Sequence, residues 1–469
     1  MPNYKTYMEQ IRLLERMDFA ATGTREIILN LIESLYKTIM EQSAEIQELR
    51  NEINRLKGEK GRPGIKPKQG KADKTDAAGK MQVPEDRKWK KSAKKDRIKI
   101  DRTKIVKLDK QGLPGDIEFK GYGKKIVQNI IIRTDNVLYL MEKYYSPSEK
   151  RTYTAKIGAG MDGTSYGAET KATILALYFE NRVTEHKIAS FLNANGLSIS
   201  EGAVSDILVK EESGALTKIK DSIYEAGIRS STYQQIDDTG MRKAGENCYA
   251  TIVCNERYSA YFIRASKSRE TVRTILTERL AGLFEVLVGD GAPQFKKIAL
   301  LYALCWIHEE RHYKKLLPVL GSHKEALSEA RTGIWEYYDK LRDYKDEPTA
   351  EKKRKLSKEF DELFLRRTGY DDLDEKLALT YAKKNELLTV LDYPEVPLHN
   401  NLSESGLREL VVKRKISGGV KTEEGLKSWE NNMTILATCK KLGVSFYDYI
   451  KGVFSKNISI NLPELICPS

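Results

Sequence analysis

Isoleucine recurs every seven residues near the start of the chain, at Ile32, Ile39, Ile46 and Ile53. Leu35, Leu49 and Leu56 each follow one of them by three residues. Read as a heptad, isoleucine takes the a positions and leucine the d positions, a combination that favours two parallel strands. Gln42 is the polar exception in the seam, and Glu45 and Glu52 at g would face Arg50 and Lys57 at e of a partner strand. The pattern predicts a short N-terminal helix and a parallel coiled coil over residues 1–57, hence a homodimer.

Further along, the hydrophobic period changes. Residues 98–160 are rich in β-branched and aromatic residues, with runs at 124–133 and 137–145 separated by a turn-like Thr134-Asp135-Asn136. They predict a small antiparallel β unit that binds DNA. Residues 161–228 read as helical, with an apolar helix over 172–183 followed by 184–196 and 198–213 in helix–turn–helix shape. Thr184 and either Ser198 or Ser200 are the expected N-caps, and Gly196 the stop. Such units bind DNA, and they are also common packing units.

From residue 229 the pattern predicts strands at 231–238, 247–255 and 258–266, a helix at 268–283, then strands at 284–290 and 301–306. That order points to a ribonuclease-H-like α/β core over 229–455. An all-helical insertion is expected at about 315–394, opening with a Ser322/Glu325 capping box. Residues 456–469 read as a tail. The whole is a multidomain α+β protein.

Charge adds a partner. The chain carries a formal +13 with pI near 9.1, which favours a polyanion. Residues 57–110 hold 20 Lys and Arg against 8 Asp and Glu, nearly all of the excess. Lys90, Lys91, Lys94 and Lys95 are expected to touch phosphate, and 58–97 to be a flexible basic linker. There is no run of 18 apolar residues and no apolar leader. The five scattered cysteines include no CxxC pair and read as reduced thiols. A cytoplasmic protein is expected.

Three stretches carry candidate chemistry: QIDDTG (235–240), LVGDGAPQF (287–295) and PLHNNLSESGLREL (397–410). They set Asp237 at a strand end, Asp290 just after a strand and Glu404 in a helix. Carboxylates converging this way suit two hard cations, Mg²⁺ or Mn²⁺, roughly 4 Å apart. Asp238 rivals Asp237, but neighbours in a strand face opposite sides, so only one enters the site. Lys413, Arg414 and Lys415 are expected on the DNA backbone. Asn401 is a candidate cap for the Glu404 helix.

These motifs resemble the DDE transposases of the bacterial insertion-sequence sixty-six family. The resemblance rests on Asp237-Asp238-Thr239, on Asp290-Gly291 with Phe295, and on Cys305-Trp306-x-His308-x-x-Arg311. It continues in Asn400-Asn401-x-x-Glu404-x-x-x-Arg408, Arg414-Lys415 and Gly418-Gly419. It implies a DNA transposase that cleaves transposon ends and joins the 3′-hydroxyl to target DNA by metal-dependent in-line phosphoryl transfer. Asp237 would bridge two metals, with Asp290 and Glu404 each holding one. His308 and Arg311 would contact substrate. Arg408, one turn beyond Glu404, would contact phosphate or pair with Glu404. Double-stranded DNA and small accessory proteins are the implied partners, and the resemblance implies a bacterial, nucleoid-associated protein.

The chain departs from the family in one respect. Members commonly carry a cysteine zinc ribbon, but residues 98–160 contain no cysteine, so no zinc is expected. A zinc site through Cys305, His308 and His312 lacks a visible fourth ligand. Two other readings stay open: a DNA-binding protein without catalysis, and a nuclease that cuts but does not join.

Overall fold

The computed structural model describes residues 22–56, 99–109, 111, 118, 120–157, 165–277 and 284–467. The basic segment with Lys90, Lys91, Lys94 and Lys95 lies outside the described residues, as does the helix expected before residue 22. The chain forms two compact units, Met1–Glu41 with Thr134–Ser469, and Gln42–Arg133. Among the described residues no helix is long and apolar enough to cross a membrane.

The heptad segment is one helix, α1 (Thr22–Leu56). The strand prediction is corrected over residues 120–142 and borne out over 143–145, which fall in the first strand. Residues 120–142 form no strand, and Ile130, Leu138 and Leu140 are 90%, 83% and 87% exposed. A strand needs a ladder partner for its backbone groups, and residues 120–142 find none. Pairing occurs one segment later, between β1 (Lys143–Ser146) and β2 (Arg151–Thr154), antiparallel around the turn at 147–150.

Four helices follow: α2 (Ala168–Leu175), α3 (Glu185–Ala194), α4 (Glu201–Val209) and α5 (Ser213–Arg229). A π-helical turn, Ala176–Glu180, extends α2. Ser200 caps α4 by accepting the Ala203 N–H at 3.1 Å, whereas Thr184 makes no side-chain cap. Gly196, at φ +90°, follows the end of α3.

The central sheet has five strands: β3 (Tyr233–Lys243), β4 (Glu246–Cys254), β5 (Ser259–Arg264), β6 (Val286–Gly289) and β7 (Leu301–Leu304). Helix α6 (Arg269–Thr277, as far as described) precedes β6. The order is β5-β4-β3-β6-β7, with β3, β4 and β5 antiparallel and β6 and β7 parallel to β3. Val286, Leu287 and Val288 are fully buried, as expected of a parallel strand covered on both faces.

After β7 come α7 (Trp306–Lys314), α8 (Gly321–Asp346), α9 (Ala350–Phe364), α10 (Asp371–Tyr381) and the short α11 (Lys384–Leu387). They share a core containing Trp306, Leu341, Phe360 and Leu373. Ser322 is not the cap of α8, which starts one residue earlier with Leu320 at the N-cap. The N–H groups of Val319 and Leu320 are instead taken by Glu33 of α1. The insertion leaves and rejoins the core at one place, where the Trp306 N–H donates to the Leu398 carbonyl at 3.0 Å.

The chain closes with α12 (Asn401–Ser417), α13 (Glu423–Leu442), α14 (Phe446–Phe454) and α15 (Leu462–Ile466). Helices α2–α5, the sheet and α12–α15 share one hydrophobic core, with Ile188, Ile223, Ile252 and Ile435 fully buried. The segment read as a tail contributes Leu462 and Ile466, one helical turn apart and both fully buried. Helix α12 lies very close to the sheet. A Cβ on Gly406 would collide with Ile252 and stand 3.2 Å from the Tyr261 hydroxyl.

Candidate active site

Strand register brings the first two carboxylates together. Gln235 of β3 pairs with Val288 of β6 in parallel. The strand β6 ends at Gly289, and Asp290 follows it directly, close enough for its charge to act on Asp237. The turn after β6 is shaped by Tyr302, whose ring lies where a Cβ on Gly289 would project. Its hydroxyl accepts the Gly291 N–H at 3.0 Å. Asp290 Oδ1 accepts the Ala292 N–H at 2.9 Å, which fixes the carboxylate in the turn.

The third carboxylate comes from α12. Gln235 and Asp237 share a face of β3, and Gln235 Oε1 accepts the Leu402 N–H at 3.2 Å. The first turn of α12 therefore lies over the face that carries Asp237. Asp238 points the other way, accepting from Gln294 Nε2 at 2.5 Å, with Lys267 at 3.8 Å. Strand alternation thus assigns Asp237 to the side of Glu404.

Electrostatics agree. Burial, with the nearby carboxylates of Asp290, Asp238 and Glu404, pushes the Asp237 carboxyl up to about 7, although the Asp238 N–H hydrogen bond opposes this. Like charges crowded in a partly dry site disfavour ionisation until a cation joins them. Glu404 Oε1 is buried without a hydrogen-bond partner. An unpaired buried carboxylate oxygen beside a carboxyl with a raised pKa is the donor set a hard divalent cation fits.

His308 and Arg311 both lie at Glu404, with His308 Nδ1 3.6 Å from one carboxylate oxygen and Arg311 Nη2 3.6 Å from the other. Cys305, His308 and Glu404 bring one ligand atom each within 4.8 Å of one another. His312, expected as a possible third ligand, is not in that cluster. Arg408, expected either on phosphate or beside Glu404, is exposed.

The basic run after Glu404 divides. Lys415 is exposed, while Arg414 donates to the Gly240 carbonyl. The expectation for Lys413 is corrected: it is 2% exposed and cannot reach a phosphate from there. Its Nζ donates to the Tyr178 carbonyl at 2.6 Å and lies 3.2 Å from the Tyr178 ring centroid. It also lies 4.7 Å from the centroid of Phe179 and 5.1 Å from that of Trp429. The i, i+3 and i+6 spacing of Leu407, Leu410 and Lys413 puts the lysine on the buried face of the helix. Asn401 is likewise not the cap: Asn400 holds the N-cap position, fully buried and with no side-chain hydrogen bond.

Gln235, Tyr302 and Asn400 were not singled out from sequence as site residues. For Gln235 a signal existed, since it is polar at a buried position two residues before Asp237.

The family described as Transposase IS66 family matches residues 163–428. That span contains Asp237, Asp290 and Glu404. The chain is also similar to the "Uncharacterized protein y4jO" of Sinorhizobium fredii. The two are 30% identical over 298 residues, covering 48% of this chain and 92% of that protein.

Proposed function

Because this chain belongs to the IS66 transposase family, and so is a DNA-processing enzyme of transposition, we propose that Asp237, Asp290 and Glu404 form its catalytic centre. The observation that carries this reading is the convergence of the three on one side of the sheet, with the Asp237 carboxyl raised to about 7. The sheet order, three antiparallel strands followed by two parallel ones, supports a ribonuclease-H-like core.

Asp237, Asp290 and Glu404 would together hold two Mg²⁺ or Mn²⁺ ions. Such ions supply Lewis-acid charge stabilisation and favour an ionised water or 3′-hydroxyl for in-line attack on a phosphodiester. Asp237 must lose its proton to bind them. His308 and Arg311 hold the Glu404 carboxylate, and Arg311, half exposed, also reaches toward phosphate. Arg408 and Lys415 extend the phosphate contacts along the exposed side of α12. The reaction is hydrolytic cleavage at the transposon end, then attack of the freed 3′-hydroxyl on target DNA. The heptad of α1 dimerises the enzyme, and the basic arm and helix–turn–helix-like segment bind the ends, with accessory proteins as further partners.

The test is labelled end DNA with Mg²⁺, comparing wild type with Glu404→Gln. Cleavage and joining by wild type, with binding alone by the variant, supports the proposal. Equal activity of both overturns the role of Glu404. A pre-cut end that the wild type fails to join would leave a nuclease rather than a transposase.

A further inference from the structure

Helix α1 has two occupied or occupiable faces. On one, Leu29 is 6% exposed and packs with Leu320, itself 1% exposed. Asn30 Nδ2 donates to the Gly369 carbonyl at 3.0 Å, and its Oδ1 accepts the Asp371 N–H at 3.0 Å. Lys37 Nζ lies 3.4 Å from Asp372. Glu33, 5% exposed, accepts the N–H groups of Val319 at 2.5 Å and Leu320 at 3.1 Å. His323 Nδ1 stands 3.4 Å from the same carboxylate and stacks on Tyr370.

Burying a carboxylate is costly unless its oxygens are matched. Burial alone would raise the Glu33 pKa, yet the nearby His323 ring and the hydrogen bonds from Leu320 and Val319 hold it below its usual range. Its negative charge also sits at the N-terminus of α8, the favourable end of that helix dipole. This is a built dock between α1 and the insertion.

The dock uses Leu29, Asn30, Glu33 and Lys37, which are e, f, b and f positions of the heptad. Leu35 and Ile39, at d and a, are 55% and 61% exposed. At 100° per residue the two faces are centred roughly 155° apart. Ile32, the first a residue, is partly buried beside Leu29 and Leu320, so the open seam begins at Leu35. The heptad continues in sequence to Leu56, with complementary g and e charges at Glu45 and Arg50. A seam of that chemistry fits a second copy of the same helix.

We propose that α1 is a two-faced arm: a second copy of this chain takes the Leu35–Ile39 seam while each chain's own insertion stays docked on the opposite face. The dimer then carries two insertions on one coil, instead of joining two enzymes by a loose tether. This rests on the dimer reading above and not on the catalytic one.

The test uses the full chain carrying Lys37→Cys, Asp372→Cys and Cys467→Ser, treated with a short bismaleimide. The expected result is a dimer by light scattering, with the 37–372 link confined to single chains on a denaturing gel and verified by peptide mass spectrometry. A link between chains overturns docking in cis, and no link overturns the dock. A monomeric mass overturns the second copy. Adding Leu35→Asp and Ile39→Asp must give monomers that still form the intrachain link. Loss of the link there overturns the independence of the two faces. Glu404→Gln, added to the cysteine variant, should behave as its parent throughout, so failure of the catalytic reading leaves this test intact.

Discussion

The Leu402 N–H meets Gln235 Oε1 at 3.2 Å, which ties the first turn of the Glu404 helix to the strand that bears Asp237. Asn400 supplies no side-chain cap for that helix, so the strand glutamine does a task usually done locally. Gln235→Leu should fill the same space without the acceptor. Misplacing a catalytic group by about 1 Å can cost on the order of 10²-fold in rate. Cleavage of end DNA should fall by about 10- to 100-fold, and the Mg²⁺ concentration for half activity should rise. Binding of end DNA, followed by gel shift, should hold. Unchanged cleavage would remove Gln235 from the positioning of Glu404.

Asp237 makes stability depend on pH in the metal-free protein. Its carboxyl is raised from 3.8 to about 7. The folded state therefore prefers the protonated form, and that contribution is full below about pH 4 and lost as pH rises through 7. Asp237→Asn should flatten the fall in melting temperature between pH 5 and 8 and melt higher than wild type at pH 8. Mg²⁺ should raise the wild-type melting temperature at pH 8 and leave the variant nearly unchanged. Thermal melts across that range decide it, and parallel pH profiles would count against the assignment.

Lys413 behaves oppositely. Burial pushes its ammonium down to about 7, with Glu185 opposing. Its stabilising contribution is present at high pH and lost as pH falls through 7. Lys413→Met keeps the volume but leaves the Tyr178 carbonyl without its donor, a loss of about 1–3 kcal/mol for a buried acceptor. That penalty should be largest near pH 9 and shrink by pH 6, where wild type must bury a charge. Urea melts at both pH values measure it, and a penalty that grows toward pH 6 would refute it.

Gly406→Ala tests the close approach of α12 to the sheet. The added methyl meets Ile252, beside the hydroxyl that Tyr261 donates to the Gly406 carbonyl at 3.0 Å. Overpacking of this kind costs about 1–3 kcal/mol. Cleavage should drop beyond what the lost stability explains, because α12 must move and Glu404 moves with it. A variant as stable and as active as wild type would show that the contact gives way freely.

Much of the sheet was legible because its strands alternate or run apolar between turn residues, and because each carboxylate sits at an element end. Strand parity said that only one of Asp237 and Asp238 enters the site, and the Asp-Asp-Thr resemblance favoured Asp237. What was hidden depends on partners distant in sequence. Glu33 satisfies the start of a helix 286 residues away, so a local capping box was the natural but mistaken reading for Ser322. Lys413 looks like surface charge until the aromatic residues of the π-helical turn and α13 surround it. Residues 125–142 have strand composition, but composition cannot supply the missing ladder partner, which only 143–146 find.

One hydrogen bond described earlier has a consequence for how this protein can vary. Trp306 and Leu398, where the helical insertion begins and ends, are joined backbone to backbone. The insertion is therefore a branch on a closed neck, so its length does not set the separation of Asp290 from Glu404. Segments can be gained or lost beyond α7 without stretching the path between the carboxylates. That branch can be reshaped while the three carboxylates stay in register.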